Sequence, residues 1–149
     1  MPGKANPIPE GFHTITPFIT VHGAANFIEF LKLAFNAEEI HRYTLPDGTV
    51  MHADLRIGNS PLMLSEATEE YKAMPCMLHL YVNDTDATYK RALEAGATSL
   101  REPEDQFYGD RSAGVSDSHG NMWWIATHIE DLTPEDIEER QKTRAKKDK

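Results

Sequence analysis

The sequence predicts an α+β fold made of two tandem βαβββ modules, and three observations point there. A strand-like run, an amphipathic helix and three further strand-like runs fill the first half, and the same succession restarts in the second. Val21 finds its counterpart at Val82, 61 positions on, and Asn36-Ala37 finds Gly96-Ala97, 60 positions on, so each copy is about sixty residues long. The second copy closes on Arg111 to His128, which reads as strand, tight turn, strand, with Asp117-Ser118-His119-Gly120-Asn121 as the turn and a β-branched, aromatic run after it.

Residues 1–13 carry three prolines and little periodicity, which suits an irregular arm. The first module is placed at 14–67. Thr14 to His22 alternates as a strand, with Ile15, Ile19 and Val21 on one face and Thr16, Phe18 and Thr20 on the other. Ala24 to Phe35 follows as a helix, because Phe27, Phe30, Leu31, Ala34 and Phe35 repeat as one apolar stripe. Asn36 fits a left-handed C-terminal cap. Ile40 to Leu45 is a strand that turns at Pro46-Asp47-Gly48. Val50 to Ile57 alternates Ala53, Leu55 and Ile57 against His52, Asp54 and Arg56; Gly58-Asn59-Ser60 turns again, and Leu62 to Ser65 is the last strand.

Glu66 to Met74 is polar, and a connector is set at 68–76. The second module is placed at 77–130. Leu78, Leu80 and Val82 alternate with Met77, His79 and Tyr81; Asp84 or Thr85 then caps a helix that turns Tyr89, Ala92 and Leu93 inward and ends at Gly96. Residues 131–149 form a helical tail: Thr133 is its N-cap, Pro134 its first residue, acids fill the first turn and cations the far end. Few of its residues are apolar, so it is expected on the surface or frayed.

Composition sets outer limits. A chain of 149 residues, 40% hydrophobic, makes one domain or two small modules sharing a core. A net charge of −9 speaks against nucleic acid and anionic membrane surfaces as partners. It is compatible with a cationic small ligand, although acidity is more simply a solubility feature. Cys76 is the single cysteine, which leaves no internal disulfide and suits a reducing compartment; it is expected as a small, buried or half-buried hydrophobe. With no run of 18 apolar residues and no signal-peptide core, the chain is expected to be cytoplasmic.

Taken together, Pro17-Phe18-Ile19-Thr20-Val21, the Phe27 to Phe35 helix, His52 to Gly58, Leu62-Met63-Leu64-Ser65 and the Asp117 to His128 hairpin resemble the vicinal oxygen chelate superfamily. That group includes glyoxalase I, bleomycin-resistance proteins, fosfomycin-resistance enzymes and extradiol dioxygenases; the nearest likeness is to its PhnB-like bacterial branch, over roughly Thr14 to Glu130. The resemblance implies curled mixed sheets forming an open trough, a homodimer, and often a divalent metal that chelates two neighbouring substrate oxygens. Carried over residue by residue, the four ligand positions fall at Thr16, Met63, Met77 and Trp124. A hard divalent ion wants imidazole and carboxylate, so neither the usual metal nor any other cofactor is expected.

Residues in step with those positions should line the trough instead. They are Phe18 and Thr20; Met63 and Ser65; Met77, His79 and Tyr81; Met122, Trp124, Ala126 and His128; and His52, Asp54 and Arg56 from the third strand. His79 and His128 are candidate general bases, or, with His52 or Asp54, a relocated metal site. Trp123 should pack beneath a helix and Trp124 should stack on whatever the trough holds, or both simply fill core. Arg111 can clamp an anion or pair with Asp110 or Asp117, and Asp117 is a turn residue. Two functions follow. One is a binding protein that holds an aromatic or planar small molecule, a cation among the candidates, by stacking and cation–π attraction, as bleomycin-resistance proteins do by sequestration. The other is a lyase, isomerase or dioxygenase-type enzyme using a relocated metal or a histidine base.

Overall fold

The apolar stripe of the first helix does what its spacing dictates. In the computed structural model, which describes residues 3–147, helix α1 runs Ala24–Phe35 and buries Phe27, Phe30, Leu31, Ala34 and Phe35, together with Ala24 and Ile28. Full burial of a Phe or Leu contributes about 1.5–3 kcal/mol each, so this stripe anchors its half of the chain. Asn36 ends the helix in the left-handed region at φ 56°, its N–H bonding Lys32 O.

The helix covers a four-stranded mixed sheet. Its strands are β1 (Phe18–Val21), β2 (Glu38–Thr44), β3 (Val50–Ile57) and β4 (Ser60–Glu66), in the spatial order β1-β4-β3-β2. β1 and β4 run parallel; the other pairs are antiparallel. Ile19, Val21, Ala53, Leu55, Leu62 and Leu64 form the buried face toward the helix. The alternate residues look the other way, across an uncovered face.

The second half repeats this plan. Strands β5 (Met77–Tyr81), β6 (Thr98–Asp105), β7 (Asp110–Ser116) and β8 (Met122–His128) lie in the order β5-β8-β7-β6, with helix α2 (Thr85–Glu94) against β6, β7 and β8. Its buried face carries Ala113, Val115, Trp123 and Ile125. Asp84 caps α2, accepting from Ala87 N at 3.1 Å. Helix α3 (Pro134–Lys147) opens on a reciprocal cap in which Asp136 N donates to Thr133 Oγ1 and Thr133 N to Asp136 Oδ2, both at 3.1 Å. Contacts divide the chain into two compact units, Met1–Cys76 and Met77–Lys149. Two mixed sheets, neither closed, and three helices make the fold α+β.

Three local expectations are corrected. The first strand starts at Phe18, not Thr14, and Ile15, expected inward, is 86% exposed. Pro17 has no N–H to give a ladder, although its carbonyl accepts from Met63 N at 2.9 Å. Thr16 therefore lies off the sheet, and its hydroxyl donates to His13 O. β2 begins two residues early and ends at Thr44, with the Pro46-Asp47-Gly48 turn closed by Gly48 N on Leu45 O. Arg111 pairs with neither Asp110 nor Asp117. It grips Asp86 on α2 at 2.7 Å and Asp105 on β6 at 2.9 Å. Asp148 and Lys149, which close the tail, lie outside the described residues, as do Met1 and Pro2 of the arm.

Candidate functional site

Cross-strand partners share a face, so register decides which side chains meet. On the first sheet Phe18, Met63, Asp54 and His41 form one row across the uncovered face, and Tyr43 is paired with His52 in the next. Thr20 and Ser65 also pair there. His52 Nε2 lies 2.8 Å from Asp54 Oδ1, and the Phe18 ring sits 5.7 Å from the His52 ring. Arg56 is spent on an ion pair with Glu38 at 2.8 Å. Phe18, Thr20 and Ser65 also border a cavity of about 440 Å³ with Met51, Glu66, Thr68 and Tyr71. The Glu66 carboxylate there is engaged, accepting from Gly23 N at 2.9 Å and Ala24 N at 3.1 Å at the start of α1. Met51 and Tyr71 were not foreseen from the sequence: a shift in the β2–β3 register turns Met51 out of simple alternation, and Tyr71 comes from the connector.

The second sheet gathers a more distinctive face. Met77 pairs with Met122, His79 with Trp124, and Tyr81 with Ala126. Trp124 continues the row to Gly114 on β7 and Arg101 on β6. The indole lies directly on the glycine: a Cβ at 114 would fall 2.7 Å from Trp124 Cε3 and 2.9 Å from Cη2. The Arg101 guanidinium lies over the same indole, its Cζ 5.0 Å from the ring centroid. Trp123, one residue away, points into the core and donates from Nε1 to Asp117 Oδ2 at 2.8 Å. Asp117 also accepts from His119 N, Asn121 N and Asn121 Nδ2, and so holds the whole turn that launches β8.

His128 stands at the end of this face beside Tyr81. Asp110, only 4% exposed, joins them: it accepts from the Tyr81 hydroxyl at 2.8 Å and from His128 Nδ1 at 2.9 Å. His128 Nε2 reaches Asp131 at 2.8 Å. Two carboxylates on one ring, Asp110 foremost, push the His128 pKa up, and donation to Asp110 pushes that of Tyr81 up. When protonated, the ring donates from both nitrogens and has no lone pair to act as a base. His79 keeps company with Tyr81, their rings 4.9 Å apart.

The candidate residues thus fall into two groups, one per unit. Phe18, Thr20, His52, Asp54 and Met63 share the first open face, with Arg56 turned to an ion pair; Met77, His79, Tyr81, Met122, Trp124 and His128 share the second. Arg101 and Gly114 were missed. A glycine inside the apolar run of β7 was the available signal, since such a glycine marks a close approach. Of the four positions that the resemblance assigns to a metal, Thr16 lies off the sheet, and Met63, Met77 and Trp124 carry neither carboxylate nor imidazole. Among the described residues no three His, Cys, Asp or Glu side chains are grouped to hold a metal ion.

Comparison with known proteins agrees with the architecture. Residues 11–125 match the family described as the Glyoxalase/Bleomycin resistance protein/Dioxygenase superfamily. An uncharacterized protein of Mycobacterium bovis is 36% identical over 135 residues, covering 83% of this chain and 89% of that one. Among solved structures, TioX from Micromonospora sp. ML1 superposes with a TM-score of 0.64 at 23% identity, over 77% of this chain and 99% of TioX. The PhnB protein of Bacillus cereus gives 0.59 at 17% identity, over 77% and 99%. At such identities the likeness is one of fold.

Proposed function

The chain belongs to the glyoxalase/bleomycin resistance protein/dioxygenase superfamily, and from that premise we propose that it binds a small organic ligand on an aromatic sheet face without the divalent ion common in the group. One observation carries the reading. Trp124 is laid flat on Gly114 and left half-exposed, ringed by Met77, Met122, His79 and Tyr81. A platform of this kind gives a planar molecule stacking and apolar area at little entropic cost. The donor set at the usual ligand positions supports binding without metal, and the double clamp on His128 favours binding over histidine-base catalysis.

Purification without chelator, followed by mass spectrometry of the extracted small molecules and metal analysis of the same sample, tests this. The expected result is an organic molecule that survives overnight incubation unchanged, with no stoichiometric ion. A turned-over product, or one zinc, nickel or iron per chain, overturns it. We further infer a cytoplasmic homodimer, for which sedimentation should give twice the 16.8 kDa chain mass. No helix among the described residues is long and apolar enough to cross a membrane.

A further inference from the structure

We propose that the ligand held against Trp124 is a planar organic anion, an aromatic or conjugated carboxylate, whose charge is met by Arg101. The inference rests on the binding reading above and adds the sign of the ligand's charge to it.

Little answers the charge of Arg101. Arg42 grips Glu39, Arg56 grips Glu38, Arg111 grips Asp86 and Asp105, and Arg140 grips Glu130. Among the described residues no carboxylate lies within ion-pair range of Arg101, although the chain carries a net charge of −9. Its Nη2 donates to the hydroxyl of Ser112, a residue 2% exposed, which fixes the guanidinium in place. Its Nε is buried with no acceptor at all. A buried donor left unmade is costly, and a half-buried cation with no counter-charge more so.

It is the unanswered charge of the guanidinium, rather than the enclosed Nε, that a ligand on the open face would meet. The N–H groups of a guanidinium lie in one plane, and those at its outer edge, beside the indole, suit the two oxygens of a carboxylate. A planar acid could therefore lie along the exposed indole with its carboxylate against that edge and its ring between Met77 and Met122. The acids that share this face do not compete. Asp110 already accepts from Tyr81 and His128, and Glu104, paired with Ser112 in register, stays beyond ion-pair range of Arg101. A cationic ligand on the same indole would meet the guanidinium as a like charge.

Equilibrium dialysis of the full chain against naphthoate, its neutral amide and its cationic amidine tests the assignment. Naphthoate should bind about tenfold or more tighter than the amide, the usual effect of a charge-assisted hydrogen bond, and the amidine weakest. Arg101→Gln should erase the preference for naphthoate over the amide, and Arg101→Lys should keep part of it. If the amide equals naphthoate in the wild type, or the amidine exceeds it, while Trp124→Leu weakens all three, the charge assignment falls and stacking stands. If none of the three binds the wild type better than Trp124→Leu, both readings fall. The comparison of the three probes on the wild type needs no variant to fold.

Discussion

Asp117→Ala should unfold the second unit far more readily than loss of an ordinary turn residue would. Four donors converge on this one carboxylate, two of them from the side chains of Asn121 and Trp123, both fully buried. Hydrogen bonds to a charged acceptor contribute about 1.5–3 kcal/mol each, and the two buried donors cannot turn to bulk water, so the expected loss is about 3–6 kcal/mol. With a urea dependence of about 1 kcal/mol per molar for a unit of this size, the midpoint should drop by about 3 M or more. The assay is built in, because Trp123 and Trp124 are the only tryptophans of the chain and both lie in the second unit. Tryptophan fluorescence thus reports that unit, while far-ultraviolet dichroism reports the whole. A midpoint shift below about 1 M would refute the reasoning, since it would mean that the donors find other acceptors and the turn is held elsewhere.

Gly114→Ala should push the Trp124 ring off its seat; crowding of this kind costs about 1–3 kcal/mol, and the check is a shifted Trp124 emission together with weakened naphthoate binding. Glu66→Gln should lower the stability of the first unit by about 1 kcal/mol, read by far-ultraviolet dichroism in urea, because α1 starts at Gly23 with no side-chain cap of its own and Glu66 fills that place. The clamp of His128 between Asp110 and Asp131 favours its charged form in the folded state, so its stabilising effect is complete below about pH 6.5, the ordinary histidine value, and fades as pH rises through the higher folded value. The stability gap between wild type and His128→Gln, followed by tryptophan fluorescence from acid to alkaline pH, should therefore shrink upward; a gap that widens with pH would contradict the clamp.

Elements governed by local periodicity were legible in the residues. Helix α1 and strand β3 fall where their patterns end, and Asn36 takes the cap its position suggested. The parity of Trp123 and Trp124 also separates core from open face as alternation requires. What escaped was set by register and distance. Arg101 reaches Trp124 only because β6 slips twice against β7, once on each side of Arg101, and simple alternation does not describe a slipped strand. Arg111 finds Asp86 on a helix 25 residues earlier, a pairing no local pattern encodes. Asp110 looked like a spare partner for its neighbour; burial and the approach of Tyr81 and His128 make it the hub of that corner.

The central claim, that Trp124 is the platform for a planar guest, is tested most directly by fluorine NMR of the chain carrying fluorotryptophan, with Trp124→Phe assigning its two resonances. Adding naphthoate or its amide should move the Trp124 signal and leave the buried Trp123 signal where it was. Movement of the Trp123 signal alone, or a Trp124 signal untouched by both probes at saturating concentration, would contradict the account.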